Sequence, residues 1–129
     1  MTSIYREVIL AIDASNAWLA LRDPYNVAHV FAGVLTGVTV DGDVRTVTFA
    51  GGHVAQERIV SIDDGGMRLA YTVCGERFTH HHASMQIVPL TAGRCRFVWI
   101  SDFLPDSQRQ FVEPLVDAGC AAVARNLAA

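Results

Sequence analysis

From Val34 onward the chain is punctuated by turn clusters: Asp41-Gly42-Asp43, Ala50-Gly51-Gly52, Asp63-Asp64-Gly65-Gly66 and Thr91-Ala92-Gly93. Between them run alternating segments rich in β-branched and aromatic residues, such as "VRTVTF" and "RFVWISDF". Glycine and aspartate clusters recurring about every ten residues, with period-two patterning between them, mark an antiparallel meander. Six strands are expected from Val34 to Phe103, and everything else in the chain has to pack around that sheet.

The flanks carry different patterns. "SIYREVILAI", Ser3 to Ile12, mixes alternation with β-branched residues and reads as a first strand. Asp13 or Ser15 can then cap a short helix, "SNAWLALRD", and Pro24 opens a second, "PYNVAHVFA", which ends before Gly33. The last segment, Pro105 to Ala129, changes period. Phe111, Val112, Leu115, Val116, Gly119, Ala122, Val123 and Leu127 recur at three and four residues, giving a long helix one apolar face, with Asp106 as N-cap. Pro114 is expected to kink this helix or to mark where its regular part begins. The order is strand, two short helices, six strands, long helix.

Composition narrows the chemistry. At 129 residues, 51% hydrophobic and 18% charged, the chain has the make-up of one globular domain. The opening "MTSIYREVIL" carries Arg6 and Glu7 inside its apolar run, and no stretch approaches a membrane span, so the expectation is a cytoplasmic protein without membrane insertion. A net charge of −3 with dispersed basic residues argues against nucleic acid. All ten basic residues are arginine, which removes Schiff-base catalysis through a lysine amine. Cys74, Cys95 and Cys120 share no metal-ligand spacing, and neither a phosphate-binding glycine loop nor a Gly-x-Ser-x-Gly elbow is present. No cofactor and no metal is expected. What remains is acid/base work on an apolar substrate, or simple binding.

The element order, with "IDASNAWLALRDP", "GGHVAQERIVSIDDGGMRLAYTV", "CRFVWISDF" and the closing amphipathic helix, resembles the polyketide cyclase/dehydrase branch of the START and Bet v 1-like superfamily over nearly the whole chain. The resemblance implies an α+β helix-grip fold spanning residues 1–129. In it a seven-stranded curved antiparallel sheet wraps the long C-terminal helix and leaves an internal cavity for a hydrophobic or aromatic small molecule, in a monomer or homodimer. Catalysis occurs in some members of the superfamily and not in others.

Strand alternation then proposes which side chains face that cavity. On the last strand the bulky set is Cys95, Phe97, Trp99, Ser101 and Phe103; on "MRLAYTV" it is Met67, Leu69, Tyr71 and Val73. The third strand offers Arg45, Val47 and Phe49. By the resemblance, the fourth offers His53, Ala55, Glu57 and Ile59. A three-residue turn at Ala50 to Gly52 sets Arg45 directly across from Glu57. In "THHHASMQI" the apolar face is Thr79, His81, Ala83, Met85 and Ile87, so His81 turns inward while His80 and His82 turn outward.

Each candidate has two readings. His81 is a general acid or base, or a neutral hydrogen-bonding member of the wall. Arg45 and Glu57 act on a ligand oxygen, or satisfy one another and only shape the pocket. Tyr71 donates to a ligand oxygen, and Trp99 stacks on a flat ring or fills the core. Phe97, Met85, Phe49, Val47, Val73 and Ala83 complete the wall, with Phe111 and Leu115 as floor. Tyr25 and His29, on the second short helix, guard the mouth or simply lie at the surface. His80 and His82 have the spacing of a weak metal pair but lack a third ligand, and solvated strand histidines account for them. The leading function is a polyketide cyclase/dehydratase-like enzyme; the alternatives are a non-catalytic small-molecule or lipid carrier, and a protein-interaction module using the outer sheet face.

Overall fold

Strand β7, Cys95–Leu104, alternates buried and half-exposed residues without a break from Cys95 to Phe103, with Phe97 and Phe103 wholly buried. That strict period places one apolar face against the core, and the neighbouring strands are locked in register to it. The computed structural model describes residues 1–128. In chain order they form β1 (Thr2–Leu10), α1 (Ala14–Leu21), α2 (Val27–Val30), β2 (Leu35–Asp41), β3 (Val44–Phe49), β4 (Val54–Asp63), β5 (Arg68–Val73), β6 (His80–Pro89), β7 and α3 (Arg109–Asn126). Short 3-10 turns at Pro24–Asn26 and Asp106–Gln108 lead into α2 and α3. The seven strands make one antiparallel sheet in the order β1-β7-β6-β5-β4-β3-β2, curved around α3 in a helix-grip fold.

Boundaries shift from the sequence-based expectation at four places, each for a local reason. The first strand ends at Leu10, where pairing with Cys95 of β7 stops. Asp13 stands at the N-cap of α1, but its carboxylate accepts from Gly93 N–H in the β6–β7 turn instead of capping the helix. The second helix opens as the Pro24–Asn26 turn, with the Asp23 side chain accepting from Tyr25 N–H. Asp106 likewise does not cap α3: it lies in the preceding turn, where its carboxylate accepts from Thr2 Oγ1 at 2.7 Å. Pro114 is inside α3 and exposed, and the helix runs through it.

Three sets of polar contacts hold the helices in place. Arg6 of β1 reaches Glu113 and Asp117 on α3, both at 2.7 Å. At the other end of α3, Asn126 Nδ2 donates to the carbonyls of Val30 and Ala32 at 3.0 Å each, tying the helix to the end of α2. Asp64, in the β4–β5 turn, accepts from Trp18 Nε1 at 2.9 Å and from Arg22 Nε at 2.7 Å, so α1 is fastened over that end of the sheet.

The apolar face of α3 meets the sheet most closely at Gly119. A Cβ there would lie 2.6 Å from Cζ3 of Trp99 and 3.3 Å from Cε1 of Phe31. Glycine costs helix stability, about 1 kcal/mol against alanine, and here that cost permits the contact. Gly119→Ala is expected to destabilise the protein by about 1–2 kcal/mol net, because overpacking against two rings outweighs the propensity gain. Denaturant unfolding followed by tryptophan fluorescence measures this, and an unchanged or raised midpoint would contradict the tight-packing account.

Candidate functional site

Between the inner sheet face and α3 lies a cavity with about 800 Å³ of free space counted out through its mouth. It is roomy enough to hold several water molecules or a small organic guest. Its walls are mostly apolar: Val47, Phe49 and Ala55 from β3 and β4, Val73 and Met85 from β5 and β6, Trp99 from β7, and Phe111, Val112, Leu115 and Val116 from α3. Across this surface the sheet lays a band of polar side chains.

The band follows from register. Arg45 faces Glu57, and Glu57 in turn faces Val73. One step along, Tyr71 and Ala83 are partners, as are Ala83 and Ser101. Arg45, Glu57, Tyr71, His81 and Ser101 therefore come from five adjacent strands and all line the cavity. Arg45 is 2% exposed, and its Nε donates to Glu57 Oε1 at 2.8 Å. Among the described residues its two Nη groups make no hydrogen bond to protein, and Arg45 lines the cavity. The guanidinium carbon lies 5.5 Å from the Tyr71 ring centroid.

Tyr71 is 4% exposed and its hydroxyl accepts from Trp99 Nε1 at 3.2 Å, which leaves the phenolic proton free to be donated. Burial, reinforced by the Glu57 charge, raises its pKa well beyond the ordinary tyrosine value, so the group stays a phenol. The polar band thus offers several donors for its single carboxylate.

His81 is held more tightly than its sequence context indicates. Val73 N–H donates to its Nδ1 at 3.0 Å, and its ring packs on Phe78 at 4.9 Å and Tyr71 at 5.8 Å between centroids. A neutral imidazole whose Nδ1 accepts must carry its proton on Nε2. Burial, aided by the neighbouring His82 and His80, lowers its pKa from 6.5 to about 4. The ring is therefore a fixed donor near neutral pH, and protonation at Nδ1 would sacrifice the Val73 bond. Because the unfolded chain takes a proton near pH 6.5 and the folded one only near 4, the His81 contribution is fully present above about pH 6.5 and is lost as pH falls towards 4. The expected loss is of the order of 2 kcal/mol. Chemical denaturation at pH 7.5 and pH 5 tests this against His81→Gln. The variant is expected to show a shallower decline, and an identical slope would contradict it.

Not every expected wall residue reaches the cavity. Phe97 and Ala83 are wholly buried on the inward face but do not line it. Ala83 is short and stands between Tyr71 and Ser101, while Phe97 lies toward the end of β7 that α1 covers. Tyr25 is 67% exposed and His29 is exposed, and neither lines the cavity. From the same segment Val27 and Phe31 line the cavity. His80 is exposed and His82 half-buried on the outer face; among the described residues no group of three or more His, Cys, Asp or Glu side chains is placed to hold a metal ion. The sequence-based list also omits Phe31, Arg77, Phe78 and Gly119, all of which line the cavity. No helix among the described residues is long and apolar enough to cross a membrane.

Known proteins place this architecture. A Thermobifida fusca protein solved by NMR superposes with a TM-score of 0.80 at 25% identity, over 98% of this chain and 93% of its own. Norcoclaurine synthase from Thalictrum flavum, in complex with dopamine and hydroxybenzaldehyde, gives 0.74 at 18% identity, over 96% of this chain and 84% of its own. The di-domain ARO/CYC BexL from the BE-7585A biosynthetic pathway gives 0.81 at 11% identity, over 98% of this chain and 46% of its own. At 18% and 11% identity the last two likenesses concern the fold alone. No curated protein matches the sequence. The family model for "Polyketide cyclase / dehydrase and lipid transport" matches residues 1–129, and the chain belongs to that family.

Proposed function

We propose that the protein binds a hydrophobic or aromatic small molecule in its cavity and acts on it as a cyclase/dehydratase-like enzyme through acid/base chemistry. The observation that carries this reading is Arg45, a 2% exposed arginine that lines an apolar cavity and gives protein a hydrogen bond from Nε alone. Its remaining donors are available to a guest oxygen in the cavity. A ligand carbonyl seated there receives the Arg45 Nη and Tyr71 O–H hydrogen bonds, which strengthen as charge develops on the oxygen. Glu57, beside it, takes the proton from the adjacent carbon, and the electron pair moves onto the carbonyl oxygen as an enolate. His81 supplies a further donor from Nε2 and is not the base, since its Nδ1 is already engaged. Loss of water from this end of the site increases each of these interactions.

A carrier is the second reading, favoured by the 2.8 Å Arg45–Glu57 contact, which already occupies one carboxylate oxygen. Exchange of the acidic C–H of a bound aryl 1,3-diketone in D2O, followed by NMR, separates the two. As an enzyme, the wild type accelerates exchange, and Glu57→Gln reduces that acceleration by about a hundredfold or more with little change in affinity. Binding without acceleration, or acceleration indifferent to Glu57→Gln, would sink the catalytic reading and leave the carrier.

A further inference from the structure

The open end of the cavity carries a second cation. Arg77, in the β5–β6 connection, lines the cavity at its mouth and is itself exposed. Its guanidinium carbon lies 3.8 Å from the centroid of Phe111, on α3, and its Nη1 donates to the neutral side chain of Gln108 at 3.1 Å. His53 meets the same phenylalanine ring at 5.3 Å in an edge-on arrangement. The arginine is thus positioned by stacking and by a hydrogen bond, without a countercharge: among the described residues no carboxylate lies within 4 Å of it, and the adjacent Glu76 makes no ion pair with it. The charged side chains lining the cavity are Arg45, Arg77 and Glu57, a formal charge of +1 in a chain of net −3. Arg45 has its partner in Glu57, so the excess positive charge belongs to Arg77.

We propose that Arg77 is an anion-recognition point for the cavity, reading a carboxylate on the part of the ligand that stays at the mouth while the apolar body lies inside. This deepens the reading of the cavity as a small-molecule site and rests on it. A planar guanidinium held on an aromatic face is preorganised to meet a carboxylate in bidentate fashion. The pair would be partly solvent-exposed, which moderates its strength and makes it sensitive to salt.

The test uses matched guests, 2-naphthylacetate and 2-naphthylacetamide, which differ in the ionised carboxylate, each displacing the neutral fluorophore N-phenyl-1-naphthylamine. The wild type is expected to prefer the acid about fivefold at low salt and to lose the preference at high salt. Arg77→Gln should abolish the preference at low salt while leaving the amide and the fluorophore within twofold; Arg77→Lys should keep part of it. If the fluorophore binds but the acid is not preferred, or the preference survives Arg77→Gln, the Arg77 proposal is overturned while the cavity reading stands. If Arg77→Gln alters acid and amide equally, the residue is a gate and not a reader of charge. Failure of the wild type to bind the fluorophore would overturn both readings.

Discussion

Replacing Arg45 with alanine is expected to remove about 3–5 kcal/mol of stability, because one half of a buried ion pair is stranded when the other is deleted. For a chain of this length that corresponds to a fall in melting temperature of roughly 11–18 °C. Arg45 is 2% exposed and the Glu57 side chain 13%, so the abandoned carboxylate would face apolar walls and the Tyr71 ring with little water to solvate it. Glu57→Leu should cost a similar amount for the converse reason. The double variant Arg45→Met/Glu57→Leu distinguishes stability from function: replacing both charges with apolar groups of similar volume is expected to restore stability to near the wild-type value or above. It should still take up N-phenyl-1-naphthylamine but bind aryl diketones much more weakly, because their oxygens would lose the charged donor and keep only those of Tyr71 and His81. Thermal melts and titrations of the three variants measure both effects. A stable Arg45→Ala protein, or a double variant that binds diketones normally, would remove the pair from the account.

The second large effect concerns Trp99. Its indole is packed between Phe31 at 5.5 Å and Phe97 at 6.1 Å, pressed against Gly119, and hydrogen-bonded to Tyr71. Trp99→Ala removes the side chain that joins the cavity wall to α3 and is expected to cost about 3–5 kcal/mol. Trp99→Phe keeps most of the apolar contact but deletes the indole N–H, and should cost clearly less. The space opened by Trp99→Ala adjoins the cavity, so bulkier aromatic guests should bind the alanine variant better than the wild type, and in doing so recover part of its melting temperature by linkage. Denaturant titration with and without a bulky guest checks this. A loss below about 1 kcal/mol would mean that Trp99 is not integral to the packing between sheet and helix.

How much of this was legible in the sequence depends on whether a residue obeys a period. β7 carries no bulge, so its alternation alone assigns Cys95, Phe97, Trp99, Ser101 and Phe103 to one face. The Arg45–Glu57 pairing was readable because Ala50 to Gly52 is a three-residue turn, closed by Gly52 N–H donating to Phe49 C=O with Gly52 at a φ of +93°. Depth along a strand was not readable: face alone cannot say that Phe97 lies toward the α1 end, or that Ala83 is too short to emerge between Tyr71 and Ser101. Of the two readings left open for Tyr25 and His29, the surface one fits their exposure, and no period in "PYNVAHVFA" could decide between them. Arg77 and Phe78 lie in a connection with no period at all, and Gly119 gives no signal except its smallness. The fixed tautomer of His81 arises from a backbone N–H eight residues earlier, on a neighbouring strand, which no local pattern encodes.

The most direct test of the central claim, that the space between sheet and α3 is a small-molecule site, is native mass spectrometry of the wild type and Ala55→Trp with N-phenyl-1-naphthylamine. Ala55 lines the cavity, and an indole there would occupy it. The account predicts one guest per wild-type chain and none on an Ala55→Trp protein whose circular dichroism shows the same fold. A wild type that takes up no guest, or a folded Ala55→Trp variant that binds it equally well, would contradict it.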